Sequence, residues 1–237
     1  MRRLPITLTL GLVASALLST PGASRAAILS GTVTGGTAKT LGGTFVKLGA
    51  PLGNPFSPTN SVGMDNFESP NLFGFDETSG VVLTAPLAID VGGTTLPAGT
   101  RLASHYVFFD PENQTPNTSL AGTVSFDADI LGIVTSTSNL YASDFLSNPG
   151  VNYLHPSARG FEAGDLASIT GPRQVSFNLS AGTPGDYIRV LTAMPPVAVP
   201  EPGSIALVGI GGIVLGLLRG RAMKKSRSGS PADRRPS

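Results

Sequence analysis

The segment Gln174-Val175-Ser176-Phe177-Asn178-Leu179-Ser180 alternates polar and apolar residues with a period of two. Successive side chains of a strand point to opposite faces, so this pattern fits a strand with one buried and one solvated face. Leu120–Ile130 reads the same way. Val124, Phe126, Ala128 and Ile130 fall on one face; Thr123, Ser125, Asp127 and Asp129 fall on the other. Further short apolar runs, each bounded by Gly, Pro, Asn or Ser, are expected as strands at Ile28–Thr34, Thr44–Leu48, Val81–Thr84, Leu87–Val91, His105–Phe109, Ile133–Thr135 and Asp186–Leu191. Gly92-Gly93 and Pro184-Gly185 supply turn chemistry between them. Only Ser138–Leu146 has a helical cast, with Leu140, Tyr141 and Phe145 clustering. No repeat of fixed period is present, which argues against a solenoid or propeller. The expectation is an all-β, sandwich-like domain over residues 27–193. The 237-residue chain contains no cysteine, so its core forms without disulfides, and thiol catalysis, iron–sulfur clusters and cysteine-ligated zinc are excluded.

Charge is distributed unevenly. Ala27–Ala198 holds six basic and thirteen acidic residues, a net −7, and both flanks are basic. At the N-terminal side Arg2-Arg3 precedes an apolar stretch, Leu4–Leu18, and then Ser24-Arg25-Ala26. This is the order of a signal peptide, residues 1–26, with small residues Ser24 and Ala26 at a cleavage site after Ala26. Arg2-Arg3 lacks the polar context of a twin-Arg signal, so the general secretory translocon and signal peptidase are the expected partners. An uncleaved anchor is the alternative.

At the C-terminal side a Pro-rich linker, 194–202, carries Val199-Pro200-Glu201-Pro202. The uncharged run Gly203–Leu218 follows, and then Arg219, Arg221, Lys224, Lys225 and Arg227. The apolar run spans 16 residues, about 24 Å as a helix, a little short of a hydrocarbon core of about 30 Å. Basic residues directly after it hold the tail, 219–237, in the cytoplasm and leave the acidic middle outside. Gly212 and Gly216 form a G-x-x-x-G pair, a spacing that serves helix dimerisation in some membrane spans and arises by chance in others.

Pro200-Glu201-Pro202, a short transmembrane helix at 203–218 and the basic cluster, in that order, resemble the PEP-CTERM family of exported bacterial proteins. The resemblance implies processing by an exosortase near the motif. It also implies a transient stay in the inner membrane and release to the cell envelope or extracellular matrix of a bacterium that makes exopolysaccharide. A plain single-pass anchor is the alternative. The middle of the chain is similar to a recurrent β-rich domain of the same family. The matching stretches are Asn71–Glu77, Ser104–Pro111, Asp129–Val134 and Gly185–Val190. That resemblance implies a class and no catalytic residues.

Catalytic constellations are scarce. His105 and His155 are the only imidazoles, and no G-x-S-x-G elbow or S-x-x-K motif accompanies them. His105 reads as a strand residue and His155 as a loop residue. Asp127 and Asp129 lie on one strand face, about 7 Å apart. That separation suits a glycosidase pair, but both acids sit on one element and the chain has no Trp for a sugar platform. Calcium is the more physical use of the acids, because it binds carboxylate and carbonyl oxygens. The candidate ligands are Asp110, Glu112, Asp127 and Asp129, although no D-x-D-x-D-G loop is present. Ordinary turn capping explains the same residues.

No G-x-x-x-x-G-K-[ST] phosphate-binding loop occurs, the glycines Gly209, Gly211 and Gly212 belonging to the apolar run, and an acidic middle repels nucleic acid. The sequons at Asn113, Asn117 and Asn178 are incidental in a bacterial protein. The sequence therefore points to a non-enzymatic, structural or adhesive protein of the surface or exopolysaccharide matrix, with no cofactor other than a conceivable Ca²⁺. The alternative is a carbohydrate-binding module, Ca²⁺-assisted, in which two of Tyr106, Tyr141, Tyr153 and Tyr187 stand exposed together beside acids.

Overall fold

The computed structural model describes residues 26–49, 60–113 and 115–194. Ser24, the motif Val199–Pro202, the apolar run 203–218 and the basic residues from Arg219 to Arg227 lie outside the described residues. The chain divides into two compact units, Met1–Pro196 and Val197–Ser237, and every described residue belongs to the first. Among the described residues no helix is long and apolar enough to cross a membrane.

The protein is built mainly of strands. In chain order these are β1 (Ile28–Gly35), β2 (Phe45–Lys47), β3 (Ser61–Val62), β4 (Leu72–Val82), β5 (Leu87–Ala88), β6 (Thr95–Leu96) and β7 (Arg101–Phe109). They continue with β8 (Thr118–Phe126), β9 (Ile130–Val134), β10 (Asn152–Tyr153), β11 (Leu166–Gly171), β12 (Gln174–Ala181) and β13 (Asp186–Ala193). The described residues also form two short helices, α1 (Gly36–Thr40) and α2 (Thr137–Ala142), and two 3₁₀ turns, Asp144–Leu146 after α2 and Pro156–Ala158.

Two larger sheets face each other. One has the order β1-β8-β12-β11 and the other β2-β4-β7-β13-β9. Ile28, Leu120, Val124, Phe126, Val175, Phe177 and Leu179 of the first sheet meet Leu72, Val107, Phe109, Ile188 and Val190 of the second in one buried cluster. The alternation of β12 is realised residue for residue, with Val175, Phe177 and Leu179 inside and Asn178 and Ser180 exposed.

The five-stranded sheet is covered on its other face as well. Phe73, Phe75, Tyr106, Phe108, Tyr187 and Leu191 pack there beneath Val62, Phe67, Leu83, Leu87, Leu96, Leu140 and Leu146, which come from β3, loops, the β5–β6 hairpin, α2 and the 3₁₀ turn after it. Phe73, Phe108 and Tyr187 are cross-strand neighbours on β4, β7 and β13. Their rings stack at 5.2 and 5.6 Å between centroids. Burial on both faces explains why β7 and β13 read as almost unbroken apolar runs where β8 and β12 alternate. The four stretches Asn71–Glu77, Ser104–Pro111, Asp129–Val134 and Gly185–Val190 supply β4, β7, β9 and β13, which are contiguous in this sheet.

Three sequence expectations change. Leu120–Ile130 is not one strand: β8 ends at Phe126 and Ile130 opens β9 in the other sheet, opposite Thr192. The apolar alternation persists across the crossing because Ala128 is buried on a separate small cluster with Ala26 and Ala103. Val81–Thr84 is no separate strand; Val81 and Val82 end the long β4. In Leu87–Val91 only Leu87–Ala88 pairs as a strand, followed by an isolated bridge from Val91 to Ile133. Pro184-Gly185 forms the expected turn into β13. Gly185 has φ +83, and a Cβ there would sit 2.8 Å from the Phe109 carbonyl oxygen, so only glycine fits.

Candidate functional site

Asp76 and Glu77 are consecutive on β4 at a break in its register with β7. Strand alternation sends their two side chains to opposite faces of the sheet, where each anchors a polar network.

Asp76 lies on the face shared with Leu72 and Gly74, at one end of the core between the sheets. Its Oδ1 accepts the Ile28 amide at 2.9 Å and lies 2.8 Å from His105 Nδ1; its Oδ2 pairs with Lys47 Nζ at 2.8 Å. Lys47 Nζ also donates to the Ile28 carbonyl. His105 Nε2 is 2.9 Å from the Thr192 hydroxyl. Burial alone raises the Asp76 pKa. The hydrogen bonds from His105, Lys47 and Ile28 outweigh that and hold it at about 2. An ionised carboxylate only accepts, so Nδ1 carries the proton shared with Asp76.

Hydroxyl, imidazole and carboxylate thus stand in the connectivity of a hydrolase triad, with the exposure reversed. Thr192 and His105 are fully buried, whereas the Asp76 side chain is 31% exposed. The hydroxyl that would act as nucleophile is sealed in the core, out of reach of any substrate. This hydrogen-bond chain ties β4, β7 and β13 together. Above the Asp76 end lies a cleft of about 370 Å³ lined by Ala27, Lys47, Asp76, Thr78, Ser79 and Asn148, among others.

Glu77 turns to the other face. Its side chain and that of Arg189 are both fully shielded, joined by Arg189 Nε to Oε2 at 2.7 Å and Nη2 to Oε1 at 2.9 Å. Tyr153 donates to Oε1 at 2.7 Å and Ser104 donates to Oε2 at 2.5 Å. Arg189 Nη1 reaches the Leu140 carbonyl and the Ser143 hydroxyl at the end of α2. Asp144 in the next turn receives a two-pronged contact from buried Arg159, at 3.1 and 2.6 Å. Two cations and two anions balance, and the network fastens the covering layer to the sheet.

The four proposed calcium ligands do not converge. Asp110 is fully buried just past β7, with Oδ2 accepting the amides of Asn66 and Phe67 at 3.1 Å each. Burial pushes its pKa up to about 6 against those hydrogen bonds. Glu112 is exposed two residues on. Asp127 accepts the Ala27 amide at 2.7 Å, and Asp129 pairs with Arg173 at 2.8 Å on the surface. Ala128, between Asp127 and Asp129, packs on Ala103 near the start of β7, about 23 Å from Asp110 at 3.3 Å per residue. Among the described residues no group of three or more His, Cys, Asp or Glu is placed to hold a metal.

Tyr106 and Tyr187 are buried and Tyr153 is spent on Glu77; Tyr141 alone is largely exposed, at 66%. His155 is exposed with φ +43 ahead of a short 3₁₀ turn. The Glu77–Arg189 pair was legible in one respect, since Arg189 interrupts the apolar run Tyr187–Leu191 and a charge there requires a buried partner.

No family model, no curated protein and no solved structure matches this chain.

Proposed function

We propose that the protein is exported, sorted by an exosortase, and acts as a structural or adhesive, non-catalytic component of a bacterial surface or exopolysaccharide matrix. The observation that carries this reading is the order of Pro200-Glu201-Pro202, the uncharged run Gly203–Leu218 and the basic cluster from Arg219 to Arg227 behind a domain of net charge −7. An apolar leader at the other end gives the same topology. A sandwich-like domain whose polar networks are turned inward as structural ties agrees with a role that needs persistence more than turnover. The leader, the membrane helix and the contact with exosortase belong to the proposal.

The full chain, expressed in an exosortase-bearing bacterium and in its exosortase deletion, tests it. Fractionation and intact mass should find a product lacking the tail outside the inner membrane of the parent. The deletion strain should retain the tailed form in that membrane. A Pro200→Ala, Glu201→Ala, Pro202→Ala triple variant should behave in the parent as the native chain does in the deletion. Equal masses and equal location in both strains would sink the reading.

A further inference from the structure

The first two residues after the expected cleavage point are held unusually firmly for a chain end, since domain termini commonly fray unless tied down. The Ala27 amide donates to Asp127 Oδ1 at 2.7 Å, and the Ala27 carbonyl accepts the Asp127 amide at 3.1 Å. The Ile28 amide donates to Asp76 and the Ile28 carbonyl accepts from Lys47. All four backbone groups of two successive residues are therefore satisfied, three of them by or against a charged side chain. Before them comes Ala26, on the small patch with Ala103, Ala128 and Met194.

We infer that Asp127 is a receptor for the new amino terminus: leader removal at the Ala26–Ala27 bond turns the Ala27–Asp127 hydrogen bond into an ion pair. The inference rests on the export reading. The covalent step is a hydrolysis by a signal peptidase. Water gives its hydroxyl to the Ala26 carbonyl carbon and a hydrogen to the Ala27 nitrogen, the C–N bond breaks, and the proton of the resulting acid ends on the amine. The products are an Ala26 carboxylate on the leader and an Ala27 ammonium on the folded chain.

The nitrogen already lies at charge-assisted hydrogen-bond distance from Oδ1, so the pair forms without movement of the strand. The charges around it do not cancel the attraction. Lys47 is neutralised by Asp76, Arg173 by Asp129, and Glu77 by Arg189. The Asp127 pair then fixes the start of β1.

The exported protein, purified from its host, supplies the test. Intact mass identifies the terminus. An amine-acylating reagent, applied across pH 6–10 with exposed Lys39 as internal reference, reads the Ala27 amine by peptide mass. The expected result is a terminus at Ala27 whose reactivity rises only well above the pH of about 7.7–8.0 that marks a free α-amine. In Asp127→Asn the rate at pH 7 should increase roughly tenfold, the factor that one pKa unit represents. The native pH profile decides by itself should the variant not fold. A terminus elsewhere, or an Ala27 profile centred on the ordinary value, overturns the inference and leaves export standing. A chain with its leader intact overturns both.

Discussion

Glu77 and Arg189 pair across β7, from β4 on one side to β13 on the other, with neither side chain touching solvent. Removing one partner of such a pair strands a buried charge, at a cost of about 3–5 kcal/mol. Glu77→Gln should therefore lower the unfolding free energy in urea by that order, and Arg189→Met likewise. The double variant Glu77→Leu, Arg189→Met should recover part of the loss, because no lone charge remains, although Tyr153 and Ser104 lose their acceptor. A double variant no better than the worse single one would show that the network acts by its hydrogen bonds alone.

Asp76 governs acid stability. Its folded pKa of about 2 lies below the ordinary 3.8, so the unfolded chain takes up protons first as pH falls. The stabilisation is present above pH 3.8 and disappears through pH 2. Asp76→Asn should melt lower than the native chain at pH 6, and the gap should close towards pH 2. A gap independent of pH would locate the effect in packing.

Asp186 acts in the opposite direction. It is 2% exposed, and burial, with Asp165 and Glu162 nearby, raises its pKa to about 8. The folded state holds the proton that the unfolded state has released, so this contribution to stability falls as pH rises from 3.8 through 8. Asp186→Asn should flatten the decline in melting temperature between pH 5 and pH 9. An unchanged slope in the variant would assign the decline to other groups.

Calcium should leave the fold indifferent. Asp110 and Asp127 stand at opposite ends of β7, and each is already committed to backbone amides. Melting temperatures in millimolar Ca²⁺ and in EDTA should coincide. A saturable rise with Ca²⁺ would reveal a bound ion; its persistence in Asp110→Asn and Asp127→Asn would place that ion away from these acids.

The strands with one wet face were legible because their period is visible in the residues themselves: β12 was read from Val175, Phe177 and Leu179 to within one residue of its end at Ala181. The strands buried twice carried no alternation, so β4 was underestimated. The crossing at Asp127–Asp129 was invisible, because Ala128 and Ile130 keep the apolar beat while serving a different cluster and a different sheet. β11 went unread since Leu166, its first apolar residue, is 56% exposed. The networks of Asp76 and Glu77 join residues far apart in the chain, Glu77 to Arg189 across 112 positions, which no local pattern encodes. His105 was correctly placed in a strand, yet its partners Asp76 and Thr192 lie 29 and 87 positions away.

Ala26 and Met194 share one patch with Ala103 and Ala128. The described chain thus enters and leaves at a single pole, while Asp110 and the Gly185 turn occupy the far one. Fraying of β13 from Ala193 would therefore begin at that pole and reach first Thr192, whose hydroxyl is tied through His105 to Asp76, while the turns at Asp110 and Gly185 stand at the opposite end.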